Sequence, residues 1–143
     1  MSEDSQAGAL PLQGVRAVDF TWVWAGPYAT MLLALLGAEV IKVESKGRMD
    51  LARRVVIWPL SDPQPHTVSV NQGPPFNTLN INKLSATINL GRAEGIDLVK
   101  RLVAVSDVVV ENMRPGAAPA GARRASCTAS RRSGTPPLPG GRP

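Results

Sequence analysis

The chain has 143 residues with 16 Lys and Arg against 11 Asp and Glu, a formal net charge of +5; residues 1–116 hold all 11 acids and 11 of the bases, whereas residues 117–143 hold five Arg and no acid. One Cys and one His leave no internal disulfide framework and no thiolate zinc site, and suit a reducing compartment. The acidic start Met1–Gln6 lacks the basic and apolar regions of a secretory signal, and the longest apolar run, Ala29 to Ala38, is about half of a membrane span, so a cytoplasmic protein without a membrane partner is expected.

Residues 1–13 read as a flexible amino terminus ahead of one domain over 14–116. Val15–Phe20 is short, partly apolar and β-branched, which predicts a strand. Gly26 lets the chain bend and Pro27 fits a first helical turn. From Tyr28 to Leu36 nearly every residue is apolar, so a helix buried on more than one side is predicted, stopped at Gly37. Glu39–Glu44, with β-branched residues at 40, 41 and 43, predicts a second strand. Strand, helix and strand within about thirty residues make a βαβ unit, and ligands gather beyond the carboxyl ends of such strands. That puts the loop 21–26 and the segment after Glu44 at a candidate site. No G-x-G-x-x-G or Walker A pattern occurs, which removes simple nicotinamide and P-loop readings.

Residues 45–76 are polar and Pro-rich and read as a long excursion with one helical turn near Leu51–Arg54. Ser85–Leu90 predicts a strand, Glu94–Val105 a helix with a wide apolar stripe, and Asp107–Glu111 a buried strand with Asn112 at its carboxyl end. The fold class is therefore α/β, a Rossmann-like, mainly parallel sheet. Residues 117–143 have no aromatic, one Leu, and 20 of 27 positions filled by Ala, Arg, Pro and Gly, and they read as disordered.

Three further features carry a resemblance. Gly14–Thr21, Ala25-Gly26-Pro27 and Leu36–Glu44 closely resemble the opening of the class III CoA-transferases, a family that includes formyl-CoA transferase, carnitine CoA-transferase and alpha-methylacyl-CoA racemase. Asn80–Ser85 is similar to the family's Asn-x-Asn-Lys-Arg-Ser segment, with Leu84 in place of Arg. Asp107–Gly116 is similar to its Asp-Val-x-x-Glu-Asn-Phe-x-Pro-Gly segment. The resemblance implies transfer of CoA between an acyl-CoA and a carboxylic acid through an acyl-aspartyl anhydride, with racemase chemistry as the alternative in the same family. It implies coenzyme A as substrate, no covalently bound cofactor, and a homodimer for a full-length relative.

Carried over by position, Val23, Trp24, Asn112 and Met113 contact CoA, and Lys46, Lys83 and Arg114 are phosphate partners. Plainer roles compete: Trp24 packing into the core, Asn112 forming a turn, Lys83 as a solvated surface charge. Lys42 and Glu44 read as strand or rim charges and His66 as a surface residue. The family's catalytic Asp follows the Glu-Asn-x-x-Pro-Gly block by several tens of residues, and none of residues 117–143 is Asp or Glu. No catalytic residue is assigned, and the chain reads as the amino-terminal portion of a longer transferase, inactive alone, with a tail of out-of-frame composition. Non-catalytic alternatives are a CoA-binding fragment and a nucleic-acid-binding tail through Arg123-Arg124 and Arg131-Arg132. The tail has no aromatic residue for base stacking, which argues against the latter.

Overall fold

A computed structural model describes residues 9–54 and 70–113. His66, Arg114, much of the Pro-rich excursion and the basic tail lie outside these described residues. The elements in order are β1 (Arg16–Asp19), α1 (Ala25–Leu35), β2 (Glu39–Glu44), a 3₁₀ turn (Leu51–Arg54), α2 (Pro74–Leu79), β3 (Leu84–Thr87), α3 (Ala93–Ala104) and β4 (Val108–Val110). They form a four-stranded sheet of order β3-β2-β1-β4 in which every pair is parallel. The α/β, Rossmann-like expectation holds. The chain steps from β1 through β2 to β3, then crosses back to the other side of β1, so the order reverses between β1 and β4.

Alternation along the strands builds a core on each face of the sheet. Val18, Phe20 and Val43 meet Val99 of α3 on one face, and Ala17 and Val40 meet Ala34 and Ala38 at α1 on the other. Small side chains at 17, 34 and 38 let α1 lie close to the strands. Gly37 ends α1 at φ +102, with the Gly37 N–H donating to Ala34 O at 3.2 Å and the Ala38 N–H to Leu33 O at 3.0 Å. This pair of bonds is a Schellman turn, which needs a left-handed residue where Gly37 stands.

The structure departs from expectation in four places. Helix α2 lies at the end of the segment read as an excursion; Pro74 and Pro75 start it, since a proline in the first turn loses no intrahelical bond. Strand β3 stops at Thr87, although the Ile88 N–H still donates to Glu44 O at 2.7 Å. Strand β4 is three residues long and lies at the sheet edge, so Val108 is exposed rather than buried. Helix α1 is buried on one face only, through Gly26, Pro27, Thr30 and Ala34. Trp24, Tyr28, Leu32 and Leu35, spaced by four, four and three residues, form an exposed outer stripe 42–55% accessible.

Such a stripe binds hydrophobic dye and promotes self-association. Leu32→Lys with Leu35→Lys is expected to lower dye fluorescence and light scattering while changing stability by no more than about 1 kcal/mol. A large loss in thermal unfolding temperature would show that this face is packed.

Candidate functional site

The carboxyl ends of β1 and β2 bury charge. Asp19 and Lys42 face each other across the two strands, and both are nearly inaccessible. The Lys83 ammonium, fully buried, lies 3.0 Å from Asp19 Oδ2. It also donates to Pro27 O at 2.9 Å, Thr30 Oγ1 at 2.8 Å and Asn80 Oδ1 at 3.0 Å. Lys42 Nζ donates to Thr21 O at 2.7 Å and pairs with Asp50 Oδ2 at 3.1 Å. That oxygen has the charge but no aligned hydrogen bond. Beside this group Glu44 pairs with Arg53 at 2.7 Å, and the Arg53 guanidinium stacks 3.5 Å from the Phe76 ring centre.

Burial pushes the Asp19 carboxyl up, but the Lys42 charge, hydrogen bonds from Thr21 and Thr30 and the Lys83 charge outweigh it and hold Asp19 below the ordinary carboxylate value. Glu44 likewise is raised by burial and lowered further by the Arg53 side chain and the Asp50 N–H, with a net downward shift. Desolvation lowers Lys83, only partly offset by Asp19.

The charged group fixes a loop. Residues 21–23 follow β1 and make their hydrogen bonds to side chains instead of to another strand. The Thr21 N–H donates to Asp19 Oδ1 at 2.8 Å. The Trp22 N–H donates to Asn112 Oδ1 at 2.9 Å, and Asn112 Nδ2 donates back to Trp22 O at 2.9 Å. The Val23 N–H donates to Asp50 Oδ1 at 3.0 Å. Gly26 fits because a side chain there would strike Thr21 and come 2.9 Å from Asn112 Cγ.

Next to this loop, across the carboxyl edge of the sheet, lies a cavity of about 580 Å³. Its walls include Phe20, Trp22, Val43, Ile88, Leu90 and Met113, and its charged lining is Glu44, Glu111, Lys46 and Arg48. Glu44 is held by Arg53, whereas Lys46 and Arg48 are exposed. Neither cationic side chain has an ion-pair partner among the described residues. An apolar chamber with unpaired cations at its rim suits a ligand with an apolar or aromatic body and an anionic end. Among the described residues there is no group of His, Cys, Asp and Glu that could hold a metal ion, and no helix is long and apolar enough to cross a membrane.

Of the residues singled out from sequence, Lys46 and Met113 line this cavity. Asn112 is exposed and outside the cavity lining, and it acts on the Trp22 backbone. Val23 contributes its N–H to Asp50, and the Trp24 indole is exposed at the start of α1, outside the cavity lining. Arg114 lies outside the described residues. Lys83 is neither a phosphate ligand nor a solvated charge: four oxygen atoms already surround its ammonium. Lys42 and Glu44 are buried ion-pair members rather than rim charges. Sequence reasoning did not single out Arg48 or Asp50, and within the loop 21–26 it chose Trp24 where Trp22 lines the cavity. The cation two residues beyond Lys46 was a visible signal for Arg48; nothing local marked Asp50.

A four-stranded parallel sheet with helices on both faces and a crevice across the carboxyl ends of its strands, lined by basic and apolar groups, defines an α/β protein whose cavity lies where such sheets place their ligands. The comparisons narrow this class. The family model of CoA-transferase family III matches residues 12–129, and the chain belongs to that family. The match runs past Gly116 into the segment that the motifs left without resemblance. The mouse succinyl-CoA:glutarate CoA-transferase is 46% identical over 106 residues, covering 74% of this chain and 22% of the relative. The Escherichia coli formyl-CoA:oxalate CoA-transferase is 38% identical over 107 residues, covering 75% and 24%. A CaiB/BaiF family protein from Brucella suis superposes with a TM-score of 0.60 at 36% identity, covering 76% and 27%. Rv3272 from Mycobacterium tuberculosis gives 0.61 at 38%, covering 76% and 27%. The chain thus spans about a quarter of the length of the curated relatives it matches.

The lowered carboxylates set an acid limit. A carboxylate depressed in the folded state stabilises it above its ordinary pKa, and that contribution is lost as pH falls through the folded value. Stability to urea is therefore expected to drop below about pH 4. Asp19→Asn should be less stable at neutral pH and show a shallower fall between pH 5 and pH 2. Parallel profiles for the two proteins would contradict the assignment.

Proposed function

We propose that this chain forms the CoA-seating part of a class III CoA-transferase, a family that moves CoA between an acyl-CoA and a carboxylic acid. The cavity at the carboxyl edge, with Lys46 and Arg48 exposed on its lining and without an ion-pair partner among the described residues, carries this reading. In it the phosphates of CoA meet those two cations, and the adenosine or pantetheine portion packs against Trp22, Ile88 and Met113. Val23 and Trp24 continue the loop that borders the seat, and Asn112 holds that loop rigid. Relatives named as CoA-transferases of succinyl-CoA and glutarate, and of formyl-CoA and oxalate, support acyl-CoA and carboxylic acid as the substrate classes.

In this reading an aspartate carboxylate attacks the acyl-CoA to give a mixed anhydride and free CoA thiolate; the thiolate attacks the aspartyl carbonyl and releases the donor acid; the acceptor carboxylate then attacks that aspartyl thioester, and the freed thiolate takes the new acyl group and restores the aspartate. The buried carboxylates are poor candidates for that nucleophile. Asp19 and Asp50 are buried and committed to ammonium groups, and Glu44 is committed to Arg53. In this reading the described residues supply the binding part, and the nucleophile comes from another segment.

Titration with CoA should raise the thermal unfolding temperature of the purified chain, since a ligand bound only to the folded state stabilises it. Lys46→Ala and Arg48→Ala should each weaken binding by about 1.5–3 kcal/mol, the worth of a charge-assisted hydrogen bond. Their individual stabilities in the absence of CoA should be unchanged. No shift at millimolar CoA would remove the reading.

A further inference from the structure

Val23 has φ +74. A β-branched residue avoids this left-handed region because its Cβ crowds the backbone, so something must hold it there. Its N–H donates to Asp50 Oδ1 at 3.0 Å, across 27 positions of sequence. The same oxygen accepts from the Ala52 N–H at 2.9 Å, and the other Asp50 oxygen lies 3.1 Å from the Lys42 ammonium. Asp50 is 1% exposed, so its carboxylate is aimed inward by the turn that contains it. The residue before Val23 is Trp22, which lines the cavity. Asn112 holds the Trp22 N–H and carbonyl, and Asp50 holds the next amide. The Trp22 backbone is thus held between two clamps, one from the end of β4 and one from the turn after β2.

We infer that Asp50 is a positioning residue for the ligand seat. It stabilises the strained backbone at Val23, and through that backbone it sets where Trp22 stands in the cavity. The inference rests on the CoA reading for its ligand, but the geometry at Val23 stands without it. An Asp50 that served only as a partner for Lys42 or a cap for Ala52 would be indifferent to the residue at position 23. An Asp50 that holds Val23 in a left-handed conformation should matter much less when position 23 is glycine, which adopts that conformation without crowding.

The test is a double-mutant cycle on the full chain with Asp50→Ala, Val23→Gly and the double variant, read by CoA affinity and separately by urea unfolding without CoA. Asp50→Ala is expected to weaken CoA binding about tenfold in the unmodified background and about threefold or less in the Val23→Gly background. The folding equilibrium should show the same sign of coupling. Equal losses in both backgrounds, in both readouts, would overturn the inference and leave Asp50 a plain ion-pair partner. Coupling in unfolding but no CoA binding by the unmodified chain would retain the positioning role and reject the CoA reading. CoA binding without coupling in either readout would do the reverse. If Asp50→Ala does not fold, Asp50→Asn replaces it. The amide oxygen still accepts from Val23 but without charge assistance, so a smaller coupling of the same sign is expected, and its absence overturns the inference.

Discussion

Two carboxylates and two ammonium groups, Asp19, Asp50, Lys42 and Lys83, are sealed inside the fold at the carboxyl end of β1 and β2. Taking an ion out of water costs several kcal/mol, and an ion left alone there would neutralise or unfold its surroundings. These four balance in charge and hold one another through contacts of 3.0 and 3.1 Å. Each member comes from a different part of the chain: β1, β2, the turn after β2, and the segment before β3. Their mutual dependence ties those parts together more specifically than apolar packing can. Asp19 also takes the Thr30 hydroxyl at 2.7 Å, which anchors α1 to the same point.

The cluster shapes a surface that it does not itself reach. Its free valences go to the loop after β1, whose backbone is held at Thr21 by Asp19 and Lys42 and at Val23 by Asp50. Asn112, from the far side of the point where strand order reverses, completes the hold at Trp22. A loop fixed by buried ions loses little further freedom when a ligand arrives, so the ordering cost of binding is met during folding. Lys46 and Arg48 stand apart from this balance, exposed at the cavity and with no ion-pair partner among the described residues.

Much of the fold was legible in the sequence because its signals are local. The apolar run before Gly37, the β-branched positions 40, 41 and 43, and the stripe of α3 each point to one kind of element, and their alternation points to a parallel sheet. The order of blocks from Gly14 to Gly116 pointed to the family. The ion cluster was not legible, since a charged residue in a strand reads as a rim charge until its partner is known. Asp19 and Lys42 become neighbours only through strand pairing, and Lys83 and Asp50 reach them from segments without periodicity. The same limit misled the reading of Lys83, whose surroundings depend on Thr30 and Pro27, more than fifty positions away. Trp22 and Trp24 could not be told apart by spacing alone, because the turn at Val23 decides which of them lines the cavity. The outer face of α1 was misjudged for a simpler reason: a four-stranded sheet covers one side of a helix, and composition does not say what covers the other.

Amide hydrogen exchange at Thr21, Trp22 and Val23 in the intact chain tests most directly whether the buried ions hold this loop. Each N–H donates to a carboxylate or an amide oxygen rather than to solvent. Their exchange should be slowed to the range of Ala17 and Val18 in β1, and their protection relative to the intrinsic rate at each pH should fall together when Asp19 is protonated. Exchange as fast as that of the exposed Gly47, at neutral pH, would contradict it.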